Sequence, residues 1–287
     1  MNKENSINTE RSLMKRKINR VILYLILCLV SLTTLFPLIW MLYTSFKTNQ
    51  EISLDKFSLP TTFHFENYVT AWKQAHIGIY FLNSIFVSVA SVLLTMFIGA
   101  IAAFVLSKFR FKLQSFVYNI FIIGMLIPLQ SVLVPLFIQM RKFHLLDSPW
   151  SLILSYTAFG LPITIFILES FMRAFSDEII EAAIIDGSTI KRVFLTIVLP
   201  MSKPALASVV ILNFLNNWKE FSFALVFISL ETRKTLTLGL YNFLGAETSN
   251  YSGLMAALVI SSIPIIALFI AMQKSVINGM TAGAVKG

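Results

Sequence analysis

The segment Arg173–Lys203 reads RAFSDEIIEAAIIDGSTIKRVFLTIVLPMSK and lies between two long apolar runs. Its punctuation describes two short helices joined by a tight turn. Ser176 precedes Asp177 and Glu178, an N-cap followed by acids that complement the positive end of a helix. A helix over Asp177–Asp186 then carries Glu181, Ala182 and Ala183. Gly187 suits the left-handed position that closes a helix. Ser188 or Thr189 can cap a second helix through Val193, Phe194 and Ile197, which Leu199-Pro200 ends. Pro204 fits the first turn of the apolar run that follows.

That run is one of six. Of the 287 residues, 56% are hydrophobic and 13% charged, about half the charge of an ordinary soluble domain. A disordered chain is excluded, and a soluble enzyme is argued against. About 20 apolar residues let a helix cross some 30 Å of hydrocarbon. Val21–Phe46, Phe81–Leu106, Leu113–Met140, Trp150–Met172, Pro204–Ser229 and Ser252–Gln273 all meet that length. The expected fold is an all-α integral membrane protein with six transmembrane helices. Lysine and arginine orient it. With the N-terminus inside, 15 of them fall on the cytoplasmic side and 7 outside, with Lys219 in a span. This places both termini in the cytoplasm of a multi-pass protein of the bacterial cell membrane. The net charge of +9 is thereby explained without nucleic acid. The first span is expected to stay in place as a signal anchor, because no small-x-small site follows it.

Chemistry-bearing motifs are sparse. Cys28 is the one cysteine, so neither a disulfide nor a cysteine metal site is available. No Gly-Lys dipeptide occurs, which removes the phosphate loop that would hold ATP. His64, His76 and His144 fall in outside loops with no carboxylate at ligand spacing, and surface histidine is the simpler reading. No catalytic constellation is expected.

The pattern Glu181-Ala182-Ala183, three residues, Gly187, nine residues, Ile197, one residue, Leu199-Pro200 resembles the EAA loop of bacterial ATP-binding-cassette importer permeases. Seven fixed letters arise by chance about once in 10⁸ starts at roughly 7% usage each. Further residues resemble the maltose-type carbohydrate family, in its second, six-span permease: Phe63-His64-Phe65-Glu66-Asn67-Tyr68 before span two, Trp218-Lys219-Glu220-Phe221 where Trp-Asn-Glu-Phe is usual, and the tail Gly279–Gly287. Lys219 departs from the asparagine of that motif, and Ser176 stands where proline is common. The resemblance implies a type I importer permease fold. In it Glu181, Ala182, Ala183, Asp186, Gly187, Ile197, Leu199 and Pro200 couple to an ATPase. It implies a second permease subunit, two ATPases that bind ATP and magnesium, and an extracytoplasmic solute-binding protein. This chain itself would hold no cofactor. The substrate implied is a sugar or oligosaccharide.

Span five carries the strongest polar signal within the membrane. Asn213, Asn216, Asn217 and Glu220 fall at i, i+3, i+4 and i+7, within one arc of about 100°. A charge at the bilayer centre costs roughly 2.5–3.5 kcal/mol on insertion scales, so such a stripe would not face lipid. It either lines a translocation path or makes hydrogen bonds within the bundle or to the partner. Asn83, Ser84, Gln130, Ser131, Gly160 and Pro162 are read as structural. The expected organisation is a cytoplasmic segment 1–20, the first helix 21–46, an outer loop 47–80 that is irregular but for one short helix, a core 81–273 with the coupling loop 173–203, and a cytoplasmic tail 274–287. The function this supports is a permease subunit of an ATP-driven, binding-protein-dependent carbohydrate importer. Alternatives are an importer permease for another solute, or a self-contained secondary transporter, which would leave the coupling loop unexplained.

Overall fold

The computed structural model describes residues 2–243 and 250–284, with side chains over 16–243, Gln74 excepted, and 250–273. No strand occurs among them. Four helices are long and apolar enough to span a membrane singly: α1 (Asn2–Thr44, apolar from Arg16), α2 (Ile77–Lys108), α5 (Pro149–Arg173) and α10 (Tyr251–Ala284, apolar to Gln273). Two bent pairs bring the total up to six where each counts as one span. In the first, α3 (Gln114–Gly124) and α4 (Leu129–Lys142) meet at 101°. In the second, α7 (Ile190–Met201) and α8 (Lys203–Lys219) meet at 76°. Between α5 and α7 lies α6 (Asp177–Ile185), and after α8 comes α9 (Ser222–Phe227).

Three expectations are corrected. The third apolar run is a broken span, because Gly124 ends α3 and Pro128, with extended backbone, opens α4. The fifth run stops as a helix at Lys219 and resumes as α9. The second helix of the coupling segment does not end at Leu199-Pro200 but runs on to Met201. A π-helical turn over Phe194–Val198 immediately precedes the proline, with Leu199 N–H donating to Phe194 O. Such a wide turn spares Pro200 the clash with the carbonyl four residues back that proline makes in a regular helix.

The core forms where α2, α5 and α8 cross. α2 and α5 make the most extensive contact in the chain. Both helices carry small buried polar residues, Ser84, Ser88, Ser91 and Thr95 on one and Ser151, Ser155, Thr157 and Thr164 on the other. Small residues let membrane helices approach closely without an aqueous hydrophobic drive. Two glycines set the limit of that approach. A Cβ on Gly99 would lie 2.4 Å from Thr164 Cγ2, and one on Gly160 would lie 2.3 Å from Asn213 Oδ1. Asn213 Nδ2 then donates to Thr164 Oγ1 (2.9 Å) and Val209 O (3.0 Å), tying α8 to α5.

The segment Lys47–Tyr80 is more ordered than an irregular loop. It holds short helices at Asn49–Leu54 and Glu66–Val69, then a π turn over Thr70–Gln74, and α2 begins at Ile77. Lys47 is fully buried, yet its ammonium donates to Asp55 O (2.6 Å), Ser58 O (3.0 Å) and Ser58 Oγ (2.9 Å). All three of its donors are thus used, which is what makes burial of that charge tolerable. Glu51 forms a capping box with Thr48 and also accepts from the Thr61 hydroxyl and N–H. His64 Nδ1 meets Glu66 Oε1 at 2.6 Å. The two residues are a local pair, two positions apart in sequence. Among the described residues no group of three metal-binding side chains gathers there.

Two outcomes follow from these contacts. Gly160→Ala forces a methyl group against Asn213 and should destabilise the bundle by about 1–3 kcal/mol, as overpacked cores do. Thermal unfolding in detergent reads this, and Asn213→Ala added to Gly160→Ala should recover part of the loss. The second outcome concerns pH. The Thr61 hydroxyl, then the Thr48 N–H, hold the Glu51 carboxyl at about 2, down from 4.5. A depressed carboxyl contributes stability above its unfolded value and loses it as pH falls through the folded value. Hydrogen exchange over residues 48–61 should stay slow from neutrality to about pH 4.5 and quicken toward pH 2. Glu51→Gln should show the quickened exchange already at pH 7.

Candidate functional site

Two features of the chain stand out: a half-open cavity that carries a stripe of polar side chains on a mostly apolar lining, and a short helix with no buried residue. The cavity, about 470 Å³, lies between α4, α5, α8 and the start of α9. All four stripe residues line it, together with Gln130, Tyr156, Phe159, Lys219, Phe221 and Phe223. The volume is within the range of pockets that take small molecules.

The stripe divides by depth. Asn213, the deepest, is buried and bonded to Thr164 as described. Asn217 is 9% exposed, and its Nδ2 has no hydrogen-bond partner among the described residues. Asn216 is exposed to the cavity. Glu220 accepts from Tyr156 OH (2.8 Å), Phe223 N–H (2.8 Å) and Ala224 N–H (3.3 Å). Asn213 and Glu220 serve the bundle, and Asn216 and Asn217 present amides to the space between the helices.

Glu220 also explains why span five can break. Where a helix stops inside hydrocarbon its free backbone groups must find partners within the protein. The Glu220 carboxylate receives the first N–H groups of α9. At the far end Asp147, held at φ 57°, receives Ser229 N–H (2.6 Å) and Leu230 N–H (2.8 Å) while its own N–H donates to Phe227 O (2.9 Å). Asp147 was not singled out from the sequence. The only available signal was an acid beside Ser148-Pro149, which reads as an ordinary turn.

Trp218 and Phe221, flanking Lys219-Glu220, have separate duties. The Trp218 indole donates to Ser261 O (3.0 Å) and stacks on Phe214, fixing α8 against α10, whereas Phe221 faces the cavity. Asn83 and Ser84 act away from the cavity. Asn83 Nδ2 donates to Thr232 O and Lys234 O, and Ser84 Oγ accepts from Leu236 N–H at 2.7 Å.

At the end of the bundle where α2 stops and α5 gives way to α6, the polypeptide is tightly pinned. Ser176 Oγ caps α6 through Glu178 N–H. Gly187, at φ +84°, closes it: Gly187 N–H donates to Ile184 O and Ser188 N–H to Ala183 O, both at 2.9 Å. That pair of bonds is the Schellman ending. Thr189 caps the next helix through Arg192 N–H. Lys108, the last residue of α2, donates to Phe175 O (2.6 Å) and Asp177 Oδ1 (2.7 Å). Its hydrogen bond and charge hold the Asp177 carboxyl below its ordinary value. Ile180 and Ala183 pack inward with Phe171, Phe175 and Phe194. The opposite face carries Glu181, Ala182 and Asp186, all exposed, and Ile185 at 84% exposure. Ile197 and Leu199 are half-buried beneath it, and Pro200 is exposed. The tail residues 285–287 and all side chains from 274 to 284, and with them the family-like ending Gly279–Gly287, lie outside the described residues.

A family model described as binding-protein-dependent transport system inner membrane component matches residues 95–281. The diacetylchitobiose uptake system permease protein NgcG of Streptomyces coelicolor is 37% identical, over 90% of this chain and 86% of its own length. The melibiose/raffinose/stachyose import permease protein MelC of Bacillus subtilis is 32% identical, over 93% and 96%. In structure, a chain of a bacterial transporter involved in import of the acidic polysaccharide alginate superposes with a TM-score of 0.78, at 23% identity, over 91% of this chain and 97% of that one. That likeness is one of fold.

The two halves of the stripe should respond differently to substitution. Glu220→Leu strands the Tyr156 hydroxyl and two α9 N–H groups, each an unsatisfied group costing about 1–3 kcal/mol. It should lower the thermal midpoint of the purified protein markedly. Asn216→Leu, at an exposed cavity wall, should leave that midpoint within about 0.5 kcal/mol of wild type.

Proposed function

The chain belongs to the family of binding-protein-dependent transport system inner membrane components, and from that premise we propose that it is one of two permease subunits of an ATP-driven oligosaccharide importer. It is a multi-pass membrane protein and a transport subunit. In this reading α6 faces the cytoplasm, as the lysine and arginine distribution requires. It docks on one of two ATPase subunits, which bind ATP and magnesium. A solute-binding protein delivers substrate at the opposite face, where the Lys47–Tyr80 segment lies. The second permease subunit completes the path, and the cavity beside α8 is this chain's share of it. The saccharides named for NgcG and MelC support an oligosaccharide as cargo.

The observation that carries the proposal is the construction of α6. Both ends are capped, its start is bolted to α2 through Lys108, and its inner face is packed, yet no residue of it is buried. An apolar side chain as exposed as Ile185, beside two alanines that allow close backbone approach, makes sense as a surface completed by another protein. Its rigidity has a mechanical use. A force on α6 passes through the Gly187 turn into α7 and across the 76° bend into α8, which lines the cavity.

Two substitutions test it. Nothing lies within 4 Å of a Cβ built on Gly187, so Gly187→Val acts through backbone conformation alone, at about 1–3 kcal/mol for a left-handed non-glycine residue. Glu181→Lys reverses the charge on the exposed face. Both variants should reach the membrane at wild-type levels but retain several-fold less ATPase in a pull-down from detergent extracts, and import little oligosaccharide. Gly187→Asn, which tolerates the left-handed region, should retain more ATPase than Gly187→Val. Wild-type ATPase retention by both Glu181→Lys and Gly187→Val would remove the docking assignment.

A further inference from the structure

We infer that the cavity beside α8 seats a saccharide unit bearing a carboxylate, with Lys219 as its charge partner. The inference rests on the importer reading above and specifies the substrate class of that same site.

Two full charges line this cavity, those of Lys219 and Glu220, and only one of them is spoken for. Both Glu220 oxygens are occupied: Oε1 by Phe223 N–H, Oε2 by Tyr156 OH and Ala224 N–H. Its negative charge is thus absorbed by the N-terminus of α9 and a phenol. Lys219 lies next to it in sequence but takes part in none of the four ion pairs among the described residues. Its ammonium makes no hydrogen bond there either, and the residue is exposed at the cavity wall. Lys142 and Lys203, also at helix ends, are exposed and outside those pairs too, but neither lines this cavity; three lysines show the contrast. Lys108 is paired with Asp177, Lys234 with Glu231, and buried Lys47 is satisfied by three oxygens.

The rest of the polar lining also offers donors. Asn217 Nδ2 is buried and unpartnered, and the amides of Asn216 and Gln130 face open space. Tyr156 OH donates to Glu220, and Asn213 Nδ2 to Thr164 and Val209, so neither is free to donate elsewhere without breaking the bundle. Phe159 and Phe221 supply apolar walls against which the C–H face of a pyranose can pack. A neutral sugar would leave the ammonium without a counter-charge once water is displaced, whereas a uronate pairs with it through a charge-assisted bond. Lysine binds as a point charge rather than a planar fork, so the pairing selects for charge and tolerates variation in sugar stereochemistry.

The experiment uses the assembled complex of both permeases and their ATPases in detergent, without the binding protein, so that the binding protein's own selection is not read. Digalacturonate, dimannuronate and cellobiouronate are titrated by calorimetry beside their carboxyl-reduced neutral counterparts. At least one acidic disaccharide should bind about tenfold or more tightly than its neutral counterpart. Lys219→Asn and Lys219→Met should abolish that preference, and Lys219→Arg should keep most of it. Equal or tighter binding of every neutral sugar, no binding of any of the six, or a preference that survives Lys219→Asn would each overturn the inference. So would dissociation of the two permeases in Lys219→Asn, which would assign the lysine to the subunit interface. A complex that retains its ATPases but binds neutral disaccharides as tightly as acidic ones would sink this inference alone. A complex that retains no ATPase would sink the importer reading itself.

Discussion

The close crossing of α5 and α8 at Gly160 and Asn213 governs the rest of the bundle. The absence of a side chain at Gly160 lets Asn213 reach Thr164, and that hydrogen bond is made where no water competes for it. α2 is locked into the same crossing through Gly99 and Thr95. In a bilayer the lipid tails are as apolar as leucine, so helices are held together by fit and by bonds of this kind rather than by exclusion from water. With this three-helix crossing fixed, the ends of α5 and α8 are fixed too, and both functional features are built from those ends.

The cavity exists because spans are interrupted around that crossing. α8 stops at Lys219, and the chain turns through Glu220 and α9 instead of continuing outward. α4 leaves α3 at 101° and lends Leu129 and Gln130 to the opposite wall. Each interruption would be prohibitive in hydrocarbon without replacement partners for the backbone. Glu220 supplies them at one end of α9 and Asp147 at the other. The acids here are therefore part of the architecture first, and this is why Lys219 is left as the uncompensated charge of the site.

The same economy holds at the far end of the bundle. Lys108 terminates α2 and simultaneously orders Phe175 and Asp177, so the start of α6 moves with α2. Gly187 passes the chain into α7, whose π turn and 76° bend deliver it to α8. Capped and braced at every junction, the segment can transmit displacement without first unravelling.

Much of this was written in the order of the residues. Six apolar runs, the N-cap at Ser176, the left-handed glycine at 187 and the cap at Thr189 depend on interactions within a few residues, and local rules describe them because their partners are local. The i, i+3, i+4, i+7 spacing likewise put four polar side chains on one face of α8. What the sequence could not supply were partners distant along the chain. The breaks in spans three and five look, by hydropathy alone, like uninterrupted helices, because hydropathy does not register whether a carboxylate 64 residues from a tyrosine will meet it. Asp147 and Lys108 read as ordinary turn and boundary charges until folding sets them against Ser229, Leu230 and Asp177. Which members of the polar stripe are bonded into the bundle, and which stay open to a ligand, was likewise decided by tertiary structure. A polar side chain's role is set by the partner that desolvation leaves it, and that partner is chosen by packing.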